Sequence, residues 1–257
     1  MAEPIESQER GFLKRHGRVV ALVTIGVTGL VLLEFVPPES AILRAILRLG
    51  ASALLAVPPF YSLYRADERA NQEAGIGLLR RLLPPAIAEL FPNENLASVR
   101  ANLMLANAEK LTMLVFTDNV YLYGDNDLEW GYGQGVAGKA WKRGTEAPPE
   151  DMWKPLTTVL QGVKRETLRN EWGLTDEQIE KTRHVKWISS VPIIVRAGNE
   201  RRCAGVLNFD GVGTALKNMG RLDEDEYLGI TARLANEMGK IMQQKGIISL
   251  DTAHRNP

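Results

Sequence analysis

The sequence predicts an α+β domain, an antiparallel sheet flanked by helices, preceded by an N-terminal two-helix transmembrane hairpin. Three observations predict it. The long uncharged apolar runs fall in the first quarter of the 257 residues. The middle of the chain holds two pairs of short apolar runs, each pair joined by turn residues. Stretches rich in helix formers stand on either side of those pairs.

Average composition conceals this division. With 31 Lys and Arg, 31 Asp and Glu, and 45% hydrophobic residues, the chain has the profile of an ordinary globular protein able to bury a core. Zero net charge supplies no electrostatic footprint for a nucleic acid, so no such partner is expected. The single cysteine excludes a disulfide framework and a multi-cysteine zinc site.

Residues 1–18 read as an N-terminal tail. Residues 19–36 carry one charge, Glu34, and follow the basic Lys14, Arg15 and Arg18. Their length lies near the lower limit for a membrane span, and a Pro37-Pro38 turn follows where a signal peptide would show a small-x-small cleavage site. Residues 41–64 form the second apolar segment, with Arg44 and Arg48 on one helix face and Pro58-Pro59 inside. Its uncharged stretch from 49 to 63 spans about 22 Å as a helix. That is short of the roughly 30 Å hydrocarbon core, a gap that snorkelling arginines close. An amphipathic helix lying in the interface is the alternative. Residues 19–64 are thus expected to be a hairpin with the lipid bilayer as partner. Basic residues lie outside both ends of the hairpin and are absent from its turn. They place the protein in the inner membrane with both termini, and the main domain, on the cytoplasmic side.

Residues 65–91 read as a helical connector broken at Pro84-Pro85. The folded domain is expected over 92–245. Residues 99–106 and 111–120 form the first strand pair, with Asn107, Ala108, Glu109 and Lys110 at the turn. A glycine-dense segment, 131–141, runs into a helix that stops at Gly144, and a polar, loosely helical stretch covers 148–183 with a helix start at Thr175. The second pair is 187–195 and 203–210. A closing helix over 223–244 places Leu228, Ile230, Leu234, Met238 and Ile241 on one face, and 246–257 is a flexible tail.

No catalytic constellation is visible. His16, His184 and His254 have no metal-ligand spacing, and Cys203 has no histidine beside it in the sequence. Asp118, Asp125, Asp127 and Glu129 are explained as turn residues. The expectation is a non-enzyme with no catalytic residues and no metal site. Residues 133–138 fit a GxGxxG pattern, but no βαβ unit surrounds them, which argues against a dinucleotide fold.

Two segments resemble the GAF family of small-molecule sensor domains. Residues 133–144, GQGVAGKAWKRG, look like that family's glycine turn into a helix. Residues 189–194, SSVPII, followed by 205–210, GVLNFD, look like its paired strands. The resemblance implies a ligand pocket beside these segments. Trp130, Tyr132, Trp141 and Trp187 would offer rings for stacking, and Gly133, Gly135 and Gly138 would let the backbone approach. Asn208 and Ser189 would offer polar contacts, although strand alternation lets only one of Ser189 and Ser190 face the pocket. The helix that follows the glycines offers unsatisfied N–H groups. Relatives that reduce free methionine sulfoxide need several cysteines, and those that attach a bilin use a Cys-His pair; here Ala204 follows a lone Cys203.

The resemblance therefore implies a membrane-anchored cytoplasmic sensory or signalling protein with no catalytic output domain. It would bind a nucleotide or another metabolite, with no cofactor identified, form a homodimer through its terminal helices, and act on a further protein partner. Two alternatives stay open: a ligand-triggered membrane-disrupting effector, and a dimerisation module without a ligand.

Overall fold

The computed structural model describes residues 24, 25, 27, 28, 41–92, 97–117, 124, 125, 127–197, 200–212 and 224–248. Apart from four helical positions, the first predicted span at 19–36 lies outside them. Two compact units divide the chain at Ala70. Helix α1 (Ala41–Leu90) contributes residues 41–70 to the first and 71–90 to the second.

The second predicted span is not a separate helix, because α1 continues from it through the connector without interruption. Among the described residues, no helix is long and apolar enough to cross a membrane. The break expected at Pro84-Pro85 is also absent. Two interior prolines cost about 3 kcal/mol or more each. Leu79, Leu83, Ile87 and Leu90, however, bury their side chains completely or nearly so. At about 1.5–3 kcal/mol each, their burial matches or exceeds that cost, and both prolines point outward.

The second unit is built on one six-stranded sheet. Its strands are β1 (Val99–Asn107), β2 (Lys110–Phe116), β3 (Trp130–Gly131), β4 (Leu156–Val159), β5 (Val185–Ala197) and β6 (Glu200–Val212). They lie in the order β3-β2-β1-β6-β5-β4, and every neighbour is antiparallel. Both predicted strand pairs are present. β3 and β4 are additional edge strands, β4 lying inside the stretch expected to be loosely helical. Helices α2 (Gly135–Glu146), α3 (Arg165–Asn170), α4 (Asp176–Thr182) and α5 (Glu224–Gln244) complete the unit. The start predicted at Thr175 is a capping box, with the Thr175 hydroxyl accepting from the Gln178 amide.

Strand alternation sorts side chains between two layers. Val99, Ala101 and Leu103 of β1, Val191 and Ile193 of β5, and Leu207 and Phe209 of β6 face one side, where α1 and α5 supply Leu83, Ile87, Met238 and Met242. This is the main core. Met104, Val206 and Cys203 face the other side and pack against Ala137, Ala140 and Trp141 of α2. In β6 the parity changes at Ala204, because Ile193 pairs with Gly205 and Ile194 with Cys203, which leaves Ala204 as a bulge. The α+β arrangement of an antiparallel sheet flanked by helices is thus observed.

Candidate functional site

The glycine turn joins β3 to α2. Gly135 holds φ +61, a left-handed conformation that an L side chain resists. A Cβ on Gly138 would overlap the Gly131 carbonyl, so the first turn of α2 lies directly on the loop it leaves. Gly133 N–H donates to the Gly138 carbonyl (3.0 Å) and Gly138 N–H to the Gln134 carbonyl (2.9 Å). At the helix start, the Gly135 amide donates to the Trp172 carbonyl at 2.7 Å. Gln134 provides no side-chain cap. Its amide nitrogen instead donates to the Gly173 carbonyl (2.8 Å) and to Gln178 Oε1 (2.9 Å), tying the turn to the segment between α3 and α4.

Between the sheet, this turn and the α3–α4 segment lies a cavity of about 60 Å³. By water-sized volume it has room for roughly four to six solvent molecules. Its walls are apolar and aromatic, including Trp130, Trp172, Leu128, Leu168 and Ile188.

The floor is polar and comes from alternate positions of two paired strands. Arg100 pairs in register with Asp210, and Asn102 with Asn208, which in turn pairs with Ser190 of β5. Arg100 Nε donates to Asp210 Oδ1 at 2.6 Å. Its Nη1 and Nη2 donate to both oxygens of Asp125 at 3.1 and 2.9 Å, a bidentate fork. All three side chains are at least 94% buried. His184 Nε2 lies 3.2 Å from Asp125 Oδ2, within ion-pair distance. Beside this cluster, Ser190 Oγ donates to Asn208 Oδ1 (2.6 Å), and Asn208 Nδ2 donates to Asn102 Oδ1 (2.8 Å).

Burial alone would raise the Asp125 carboxyl, but hydrogen bonds from His184 and Arg100 outweigh it and hold the group below the usual carboxylate range. For Asp210, deeper burial outweighs the pull of Arg100, and the carboxyl is raised. Desolvation opposes the charge on Arg100, yet the two carboxylates hold its pKa above the ordinary value.

The predicted ligand residues separate into three groups. Trp130, Gly135 and Asn208 line the cavity, and Gly133 and Gly138 shape the turn that borders it. Tyr132 and Trp141 lie elsewhere, stacked edge to face at 4.8 Å in a groove of about 340 Å³ that also includes Cys203 and Arg202. Trp187 and Ser189 face the opposite side of the sheet. Trp187 packs on Phe91 (5.1 Å) over Gly211 in the main core, and Ser189 Oγ shares a 2.6 Å hydrogen bond with Tyr227 OH of α5. Alternation explains this correction: it is Ser190 that joins the polar floor.

Asp125 is a turn residue whose carbonyl accepts from the Leu128 N–H at 3.3 Å, and its carboxylate is in addition a buried partner of Arg100. Arg100, Asn102, Asp210 and Trp172 were not singled out from the sequence. The available signal was polar residues at i and i+2 within two apolar strands, VRANLM and VLNFD. Cys203 is buried, its thiol donates to the Gly205 carbonyl at 3.2 Å, and burial pushes its pKa up to about 12. That keeps the sulfur protonated and a poor nucleophile.

No family model matches the sequence, and neither does any curated protein. Solved structures do resemble the chain. A GAF domain/HD domain protein from Geobacter sulfurreducens is 10% identical, with 69% of this chain and 95% of that chain covered and a TM-score of 0.44. A type II free methionine-R-sulfoxide reductase from Thermoplasma acidophilum is 12% identical, with 68% and 96% covered and a TM-score of 0.42. The blue-light-absorbing form of the PixJ GAF domain from Thermosynechococcus elongatus is 9% identical, with 73% and 98% covered and a TM-score of 0.42. At these levels the likenesses carry no argument about ligand or activity, which rest on the chain's own residues.

Proposed function

We propose that this protein is a membrane-anchored sensor whose GAF-like domain binds a small molecule in the cavity beneath α2. The observation that carries the reading is the cavity itself, with apolar and aromatic walls around a buried polar floor whose members are mutually hydrogen-bonded. Trp130, Gly135 and Asn208 are the ligand-contacting residues, with Trp172 and Ile188 added. The role is regulatory rather than catalytic, and Cys203, buried and held as a thiol, offers no ready nucleophile. Anchoring by residues 19–64 to the inner membrane, with the sensor in the cytoplasm, is supported by the apolar run at 19–36 and its basic flanks. Exposed Ile46, Leu49, Leu63 and Tyr64 on α1 add to it. A homodimer through terminal helices, and a protein partner that receives the signal, complete the proposal.

The test is a thermal-shift screen of the detergent-purified chain against nucleotides and metabolites, alongside Ile188→Trp, which fills the cavity. Ligand at 100 times its dissociation constant stabilises by about 2.7 kcal/mol. A stabilising compound whose effect survives in Ile188→Trp would move the site elsewhere, and a screen with no stabilising compound would remove the sensor reading. Retention of the full chain in carbonate-washed membranes tests the anchor; release into the wash would refute it.

A further inference from the structure

We infer that the cavity takes a small organic cation, an apolar body bearing one ammonium or amidinium group whose charged end docks on the Asp210 and Asp125 carboxylates. This rests on the cavity being the ligand site, and it names the ligand's chemistry.

Formal charge in the lining decides between ligand classes. Arg100 from β1, Asp125 from the segment before β3 and Asp210 from β6 are the charged residues that line the cavity. One guanidinium against two carboxylates leaves +1−2=−1. The titratable neighbour is His184, immediately before β5 and 3.2 Å from Asp125. The elements α2, α3 and α4 contribute no charged residue to the lining. Lys139 of α2 lies 4.0 Å over the Trp172 ring and is not part of it.

The net negative formal charge of the lining disfavours an anionic ligand such as a cyclic nucleotide. All three Arg100 nitrogens that make contacts donate to carboxylates, and the Gly135 amide is bonded to the Trp172 carbonyl. A buried excess negative charge, by contrast, needs neutralising, by a proton on a carboxyl or on His184, or by a cation from outside. A ligand ammonium serves in place of that proton, and its N–H groups meet carboxylate oxygens while Trp130 and Trp172 offer ring faces to the charge. The apolar and aromatic walls suit an organic cation better than a hydrated metal ion, and among the described residues no three His, Cys, Asp or Glu are placed to hold a metal. The small volume limits the body to about one ring without rearrangement of the walls.

The test is calorimetric titration of the intact detergent-purified chain with benzylamine, benzyl alcohol, phenylacetate and cyclic GMP. Benzylamine is expected to bind roughly 10- to 100-fold tighter than benzyl alcohol, the range for a hydrogen-bonded charge. The two anions are expected to bind more weakly still. Asp210→Asn, which leaves Arg100 and Asp125 balanced, should bring the amine-to-alcohol ratio close to one. If that variant does not fold, the pH dependence of the wild type substitutes. Displacement of a proton from the raised Asp210 carboxyl makes benzylamine binding tighten as pH rises, while benzyl alcohol binding stays flat. Equal or tighter binding of the alcohol or an anion overturns the inference, as does silence of all four probes. Either result leaves the sensor reading standing if another compound from the metabolite screen binds in the cavity; an empty screen removes both.

Discussion

Removing Arg100 tests the energetics of the cavity floor most directly. In Arg100→Met, Asp125 and Asp210 remain at least 94% buried without their cation. Deleting one member of a buried ion pair costs about 3–5 kcal/mol. For a unit of this size that lowers the melting temperature by roughly 6–20 °C, at about 2–4 °C per kcal/mol. The loss depends on pH in a defined direction. In the wild type the Asp125 carboxyl is lowered, so its contribution is present above its unfolded value and is lost as pH falls through the folded one. The Asp210 carboxyl is raised, so its contribution is present below the unfolded value and is lost as pH rises through the folded one. Without Arg100 both carboxyls lose a partner that lowers their pKa, with His184 still opposing burial at Asp125, so both values rise and the variant recovers stability relative to the wild type on acidification. Thermal and urea denaturation of wild type and variant at pH 7 and pH 5 measure this. A deficit below about 1 kcal/mol at pH 7, or one that does not shrink at pH 5, would refute the assignment of a charged, desolvated cluster. The triple variant Arg100→Met, Asp125→Asn, Asp210→Asn should regain much of the loss, because it leaves no buried charge.

Three further outcomes follow from the packing and the thiol. Gly138→Ala is expected to destabilise by about 1–3 kcal/mol in urea denaturation, because its methyl group meets the Gly131 carbonyl and the backbone must shift. Phe209→Ala, in the middle of β6 and fully buried against Phe91, should cost about 3–5 kcal/mol; a loss under 1 kcal/mol would place the main core elsewhere. Cys203, with its thiol raised to about 12, should resist iodoacetamide at pH 8 in the folded chain and react at once in denaturant. Rapid labelling of the native protein would contradict its burial.

Much of the sheet was legible because its central strands are long and apolar. SSVPIIV and CAGVLNFD show this, as does the closing helix with its one-sided stripe. The edge strands were not. β3 has two residues and β4 has four, LTTV, too few to rise above their polar surroundings. The prolines at 84 and 85 misled because the local rule weighs one hydrogen bond, whereas the fold weighs the burial of Leu79, Leu83, Ile87 and Leu90. For the site, the glycine turn was visible in its spacing, and Trp130 and Gly135 followed from it, while Asn208 followed from the strand GVLNFD. Trp187 and Ser189 went to the wrong face because a one-residue choice of parity reverses every side chain on β5. Arg100 was hidden by its position in an apolar strand, and its partner Asp125 by standing in a loop where aspartate is ordinary.

The polar stripe of Arg100, Asn102, Asn208 and Asp210 also bears on how the sheet assembles. Slipping β1 by one residue against β6 would turn Arg100 and Asn102 toward Leu83, Ile87 and Phe209. A charge stranded there costs about 3–5 kcal/mol, and that penalty would arise while the strands are still finding one another. These side chains therefore act as alignment marks for the newly made chain. Only the native alignment closes the Arg100–Asp210 and Asn102–Asn208 rungs together.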